Sequence, residues 1–526
     1  MKNPFVKMQS VRIVLMTQKG NQMKKHDVFS AKNSLQFIGK KIARLLLPLF
    51  LSAGLLQSCT TVGPDYTPPE TQMPDAWHME LFRGVRTGNA DMTAWWTSFD
   101  DPVLDSLMHR AAQGSLNLKQ AYARINESRA LLGYTKGEQL PDVNGKGSAQ
   151  RHRRGEDLTS PLADNPDNYF SLGLDSSWEA DFWGRIRRSV ESADAGYHAS
   201  VENYRDVMVR VCAEVASVYT DVRTLQDRIR FAESNTRAQK ESLRITKARV
   251  QAGIAPELDV RQAELNLART ESMLPSLKSA LAQSINRLGI LIGKAPETLH
   301  GELSKPGSIP KPPKEILVPI PANLLRQRPD IRQAERQIAA QTARIGVATA
   351  ALYPTLTFSG SIGIEASSGL FDAGSRYWAL APSLRWNLFD GGRVRSQIQA
   401  EEARTEQALA VYEQTVLSAL EDVENSLAAY ANESIRLDTL KRSVAAAQKS
   451  VILVQSLYKT GMTDFQNVLD MERTLFEQQD TLAASQGLVT QNLIRIYKAV
   501  GGGWSADTPA EPVKGYSYGI PGKKTD

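Results

Sequence analysis

Only two cysteines occur in 526 residues, Cys59 and Cys212, so no disulfide framework staples the fold and stability has to come from packing. Histidine is also scarce. His26, His78, His109, His152, His198 and His300 are scattered, with neither an HExxH pair nor a close metal-ligand couple. No phosphate-binding glycine loop, nucleophile elbow or CxxC is present, which points away from an enzyme. An apolar stretch long enough for a spanning helix is missing from the leader: Leu45 to Leu56 gives 12 residues broken by Pro48, against the roughly 20 a bilayer requires. The basic balance, +6 with a pI near 9.0, vanishes once located. Residues 1–58 hold ten Lys/Arg against Asp27, a net of +9, which leaves −3 for the remainder. A polyanion ligand therefore loses its main argument. Length by itself is only a prior for several domains.

What is present begins with that leader. A basic region closing at Arg44 precedes the short apolar core, the pattern of a bacterial export signal. Leu56-Gln57-Ser58-Cys59 then fits a lipobox, in which the Cys59 thiol takes a diacylglycerol and becomes a new, N-acylated amino terminus. Thr60 rather than Asp follows, which favours outer-membrane sorting. Met23, followed by Lys24 and Lys25, is an alternative start. Cys212 lies in an apolar helical stretch, where a small core residue is expected.

The mature chain repeats itself. Trp178 to Gly293 overlays Trp386 to Gly501 at one offset of 208, pairing Gly184/Gly392, Tyr204/Tyr412, Gly253/Gly461, Glu264/Glu472 and Arg287/Arg495. Upstream the offset is 213, with Ala121 over Ala334, Gly133 over Gly346 and Pro141 over Pro354. Each unit reads as helix, two strands, long helix, turn, helix. Val201, Tyr204, Met208, Val211, Val215, Val218, Val222, Leu225 and Ile229 alternate by three and four like a coiled-coil seam. Gly184 to Ala252 is 69 residues, about 100 Å as helix at 1.5 Å per residue. Gly253 and Gly461 end the two long helices, and Pro256 suits the first turn of the next. The implied organisation is a signal peptide (1–58), an extended anchored segment (59–101), a first repeat (102–293), a Pro-rich linker (294–321), a second repeat (322–501) and a tail (502–526). The linker is expected outside the helical tunnel, the tail poorly ordered or wrapped around the equator.

The strand segments alternate in twos. Leu356, Phe358, Gly360, Ile362 and Ile364 share one face; Trp378, Leu380, Pro382, Leu384, Trp386 and Leu388 share another, as do Phe170, Leu172, Leu174, Ser176 and Trp178. Val143 to Arg151 alternates poorly. Strands of about ten residues with one apolar face suit a transmembrane barrel, and a half-buried soluble sheet is the competing reading. Four strands cannot enclose a lumen. If they cross a membrane, several protomers must donate strands.

The chain at this point resembles the TolC-type outer-membrane efflux channels, in particular their OprM/CusC-like lipoprotein branch. The likeness rests on "CTTVGPDYTPP" (Cys59 to Pro69), "WWTSFDDPVLDSL" (Trp95 to Leu107), "RPDIRQAE" (Arg328 to Glu335) and "ALYPTLTFSG" (351–360), in that order upon the duplicated hairpin unit. The resemblance implies an α+β membrane protein. Long coiled-coil α-hairpins form a periplasmic tunnel, and four β-strands per protomer enter a trimeric twelve-stranded barrel. It further implies a passive exit duct for small molecules such as drugs or metal ions. A periplasmic adaptor and an inner-membrane pump, commonly of the resistance-nodulation-division type in such systems, would be its partners.

Gating, by the same resemblance, sits at the periplasmic tips, where a tyrosine precedes the tip glycine and two acids follow. "YKTGMTDFQNVLDME" supplies Tyr458, Gly461 and Asp470, with Asn467 at the first acidic position and Asp464 out of phase. In the first copy Asp259 is placed like Asn467. Asp470, Tyr458 and Asp259 are the expected gate residues, with Gly253 and Gly461 as adaptor-contact tips. No metal site and no cofactor beyond the Cys59 lipid is expected; the 12 methionines are unclustered and mark no copper path. A channel for type I protein secretion and a periplasmic adaptor lipoprotein are the rival readings. An adaptor would show one hairpin beside compact β-domains.

Overall fold

The computed structural model of the chain describes residues 61–505 apart from 83, 89–90, 154–166 and 369. The leader, Cys59 and the tail from 506 onward lie outside the described residues. Single-turn helices aside, the order is β1 (Val85–Thr87), α1 (Pro102–Gly114), α2 (Leu116–Gly137), β2 (Asp142–His152), β3 (Asp167–Ala180), α3 (Arg185–Gln251) and α4 (Glu257–Leu291). It continues with β4 (Ile316–Val318), α5 (Pro329–Ala350), β5 (Thr355–Ala366), β6 (Arg376–Arg385), α6 (Arg393–Lys459) and α7 (Phe465–Ala499). The repeat is therefore realised element by element. Both long helices have 67 residues, both return helices 35 and both leading helices 22. At 1.5 Å per residue each long helix spans about 100 Å.

Local chemistry fixes where these helices begin. Asp101 caps α1 by accepting from the Val103 and Leu104 amides at 3.0 and 3.2 Å, ahead of Pro102 at the first helical position. Asp181 accepts from the amides of Ile186 and Arg187 at 3.1 and 2.9 Å and so opens α3. Asp390 does the same for α6 through the Val394 amide at 2.9 Å. Pro256 stands one position earlier than its sequence reading: it is the N-cap of α4, with φ −77° and ψ 151°, rather than a first-turn residue.

The strands form one antiparallel sheet in the order β2-β3-β5-β6. Its register puts Leu172 opposite Ile364, Leu174 opposite Ile362 and Trp178 opposite Phe358, so one face is apolar across the strands. That face is bare in the single chain: Leu172, Leu174, Ile362, Trp378, Leu380 and Leu384 are all more than half exposed. The other face carries Lys146, Tyr169, Asp175, Ser177, Glu179, Ser361, Glu365 and Tyr377. β2 alternates poorly because its outward positions between Val143 and Arg151 are Gly145, Gly147 and Ala149, yet it pairs with β3 over all 11 residues. β6 is shorter than its alternation suggests. It ends at Arg385, because the Trp386 indole turns back to the Leu352 carbonyl at 3.1 Å and the chain folds into the Asp390 cap. Trp178 makes the equivalent bond to the Gln139 carbonyl at 3.0 Å, so both offsets of the repeat meet in one contact.

One apolar core joins both repeats. Tyr204, Val211, Val215, Tyr219 and Val222 of α3 meet Leu104, Leu107, Ile125, Ile338, Val423 and Leu493. Cys212 is buried in this core as expected, and burial pushes its thiol up to about 12. The linker is more ordered than its composition implies: Leu299, Leu303, Ile316 and Val318 are fully buried, and β4 pairs in parallel with β1. Arg223 and Gln226 of α3 hold it by the Lys305 and Leu303 carbonyls at 3.0 and 2.6 Å. The tail's first residues also dock. The Trp504 ring has the guanidinium groups of Arg205 and Arg332 over it at 4.7 and 5.2 Å. The helices pack side by side, with α3 flanked by α2, α4, α5 and α7, and α6 by α5 and α7. No described helix is long and apolar enough to cross a membrane, which says nothing of a barrel.

Candidate functional site at the hairpin tips

The two hairpin tips are built by the same backbone motif. In the first, the Gly253 amide donates to the Val250 carbonyl at 2.9 Å and the Ile254 amide to the Arg249 carbonyl at 3.0 Å. In the second, Gly461 donates to Tyr458 at 3.0 Å and Met462 to Leu457 at 2.9 Å. These paired bonds satisfy the last carbonyls of the long helix and require a left-handed residue, here φ 71° at Gly253 and 75° at Gly461. Both glycines face open space. Beside them Ile254 and Met462 are 62% and 70% exposed, apolar side chains offered to solvent at the ends of the molecule.

Above the tips, Tyr458 is buried between the two hairpins. Its ring lies 4.5 Å from the Arg249 guanidinium and 5.2 Å from the Phe465 ring. Arg249 also donates to the Tyr458 carbonyl at 2.9 Å, so a cation from the first hairpin closes the negative end of α6 in the second. The Tyr458 hydroxyl lies close to Thr246 and Asp259 without a well-formed hydrogen bond to either, and burial raises its pKa. Asp259 is raised first by burial and then by the negative charge of Asp464, with Arg249 opposing. Tyr458 and Asp259 are thus brought together, joined by Arg249 and Asp464. Asp470 is not part of this cluster. It is exposed, accepts from Gln466 at 3.0 Å and has Arg473 at 3.8 Å, both on its own helix.

Further from the tip the seam between α3 and α7 turns polar. Asn235, Thr236, Gln239, Ser242 and Thr246 are buried on α3 at the spacing that carries valines nearer the sheet. Glu472 faces them, 3% exposed, accepting from Ser242 at 2.5 Å and from Gln455 at 3.0 Å while its other oxygen is left without a partner. Burial raises its pKa. Buried polar atoms of Thr236, Gln239, Arg249 and Asn266 are likewise unpartnered, which makes this stretch expensive to hold closed. A cavity of about 260 Å³ lined by Ser242, Ile245, Gln455, Tyr458, Phe465 and Val468 adjoins it. Sequence reasoning missed Glu472 and Arg249 as site residues. The signal for Glu472 was there: an acid stands where the apolar period of Val468, Leu469 and Phe476 asks for a hydrophobe.

At the tips Asp259, Asp464, Tyr458 and Arg249 meet where one hairpin packs on the other. The contacts there are electrostatic and steric: two acids, a tyrosine and an arginine bridging one hairpin to the other. Among the described residues no group of three or more His, Cys, Asp or Glu is placed to hold a metal ion.

Comparison with known proteins places the whole chain. The family model for outer membrane efflux proteins matches residues 107–294 and 320–502, which are the two repeats. The chain is similar to nodulation protein T of Rhizobium leguminosarum bv. trifolii, 32% identical over 475 residues, covering 88% of this chain and 98% of that one. It is similar to the toluene efflux pump outer membrane protein TtgI of Pseudomonas putida, 31% identical over 474 residues, covering 87% and 98%. Among solved structures it is similar to the outer-membrane channel OprN, with a TM-score of 0.80 and 35% identity over 85% of this chain and 100% of that one.

Proposed function

The chain belongs to the outer membrane efflux protein family, and from that premise we infer how its single-chain geometry becomes a duct. It is an outer-membrane efflux channel. The observation that carries its assembly is the four-stranded sheet, whose edges β2 and β6 pair with no other strand among the described residues and whose bare apolar face needs lipid. An unpaired strand edge in hydrocarbon costs several kcal/mol per polar group, roughly, so each edge has to pair with the opposite edge of another copy. Three copies give twelve strands, within the range of membrane barrels, and leave the polar face lining water. The exposed apolar positions Leu258 and Leu265 on α4 and Leu417, Ile452 and Leu453 on α6 then meet neighbouring copies.

The lipid at Cys59 belongs to the same reading. Val62 donates to the Trp183 carbonyl at 3.1 Å, and buried Arg188 holds the Val62 and Gly63 carbonyls at 3.2 and 3.3 Å and the Asp65 carboxylate at 2.6 Å. These contacts fix the segment just after the cysteine where the sheet meets the helices, the level of a membrane surface. At the other end the Arg249–Tyr458–Asp259–Asp464 cluster is the resting lock. The exposed tips at Gly253 and Gly461 receive a periplasmic adaptor that links the duct to an inner-membrane pump of the resistance-nodulation-division type. The cargo is small molecules such as drugs or metal ions rather than protein, a choice favoured by the toluene-pump relative. Two hairpins, each preceded by its own strand pair, disfavour the adaptor reading. Light scattering of the detergent-solubilised protein and planar-bilayer recording test the duct. A conducting trimer is expected; a monomer that stays soluble without detergent and passes no ions overturns it.

A further inference from the structure

The water-facing side of the sheet is not uniform along its length. Glu179 pairs with Arg185 at 2.9 Å and Asp175 is in contact with Lys146, while Asp142 at the helix end is exposed and accepts from the Asn144 side-chain amide at 3.0 Å. At the far end, away from the helices, the register brings Gln150, Tyr169, Glu365 and Tyr377 onto that same side. Glu365 is exposed and makes no ion pair among the described residues; its Oε2 accepts a hydrogen bond from the Tyr169 hydroxyl at 2.7 Å. The cations at this level, Arg151 and Arg376, alternate onto the opposite, apolar side of the sheet. Among the described residues, Glu365 therefore stands without a counter-ion at the outer end of the strands, and Asp372 in the β5–β6 connection just beyond is a second exposed carboxylate outside any ion pair.

The tyrosines around it are held in a particular way. Gly173 and Gly363 face each other across β3 and β5, and a Cβ on Gly173 would meet the Tyr377 hydroxyl at 2.8 Å, one on Gly363 the Tyr377 ring at 2.9 Å. The Tyr377 ring thus lies down over the paired glycines instead of projecting from the wall, the way an aromatic covers glycine in a sheet. Two consequences follow. The bore stays wide at this level, and the ring offers a face, negative by its quadrupole, beside Glu365. In a closed trimer the three carboxylates make a ring.

We propose that Glu365, carried between Tyr169 and Tyr377, is a cation-selecting residue at the outer exit of the channel, admitting inorganic and organic cations in preference to anions. The proposal rests on the trimeric-duct reading, since only closure of the sheet turns three separate carboxylates into a ring. The Tyr169 bond fixes the carboxylate without cancelling its charge. The tip cluster lies at the other end of helices about 100 Å long, many Debye lengths away at roughly 10 Å in 0.1 M salt, so the two ends act on permeating ions independently.

The test is the reversal potential of single channels in planar bilayers under a KCl gradient near 0.1 M, for wild type, Glu365→Gln and Glu365→Lys, each first checked as a trimer by light scattering. Wild type should prefer potassium, Glu365→Gln should lower the potassium-to-chloride permeability ratio by about twofold or more, and Glu365→Lys should carry it toward anions. Near 1 M salt, where the Debye length is about 3 Å, the differences should shrink. Conducting channels whose reversal potential ignores both substitutions, or a wild type without cation preference, overturn the proposal. A wild type that passes no ions defeats the duct reading itself, and the proposal with it.

Discussion

The two hairpins have equal lengths and the same glycine turn, yet equivalent residues in them live in opposite surroundings. Glu264 on α4 is only partly buried, with Lys247 at 3.0 Å and Arg261 at 3.1 Å, and its pKa is lowered, mainly by the Lys247 hydrogen bond. Glu472, its counterpart at the offset of 208 on α7, is buried and its pKa is raised by burial. The cause is which helices each one packs against. α7 packs against both long helices, whereas α4 has α3 as its main helical neighbour and only slight contact with α7. Duplication thus copied the covalent pattern, and packing gave the copies different surroundings: one glutamate beside two cations at the surface, the other in a buried polar seam.

The comparison breaks most visibly at the tips. Replacing Gly461 or Gly253 with valine forces a β-branched residue into a left-handed position, at a cost of roughly 1–2 kcal/mol or more. Both variants should still form trimers but lose crosslinking to the adaptor. If only one does, the adaptor reads the hairpins unequally.

Next comes the lock. Arg249→Ala removes the group that ties the first hairpin to the Tyr458 carbonyl, and should raise single-channel conductance several-fold. Leu457 is the residue 208 positions on, and Leu457→Ala should leave conductance near wild type. Equal effects would deny the asymmetry.

The paired glutamates give opposite pH signs. Glu472 has a raised pKa in the fold, so its favourable contribution is complete below the unfolded carboxyl value, about 4.3, and is lost as pH climbs through the folded value. Glu264 has a lowered one, so its contribution is complete above that unfolded value and is lost as pH falls through the folded value. Glu472→Gln should therefore raise the melting temperature at neutral pH by a few degrees and flatten its rise on mild acidification. Glu264→Gln should change the neutral melting temperature little. A Glu472→Gln melting curve unchanged at every pH would show that the seam does not titrate. The smallest effect belongs to Asp470→Ala, since the partners of Asp470 lie on its own helix. A modest rise in conductance is expected, and an unchanged value removes it from the gate.

Much of this was legible before any coordinates. The valine-and-tyrosine seam of α3, the tip glycines and the strand alternation depend on spacing along the chain, and a helix or strand reads spacing directly. The end of β6 was not legible, because Trp386 keeps the alternating pattern while its indole is drawn to a carbonyl 34 residues away. Nor was the meeting of Asp259 with Asp464, which come from different hairpins and converge only when α3 lies against α7.

By itself the sequence determined the duplicated unit, the lengths of its helices and the two-sided strands, since each follows from short-range periodicity and from glycine's unique access to positive φ. Only the tertiary structure decided which copy of an equivalent residue is buried, which acids share a neighbourhood and which carboxylate is left without a counter-ion. Those properties depend on distances between segments far apart in the chain, and desolvation and Coulomb forces respond to such distances rather than to order in sequence.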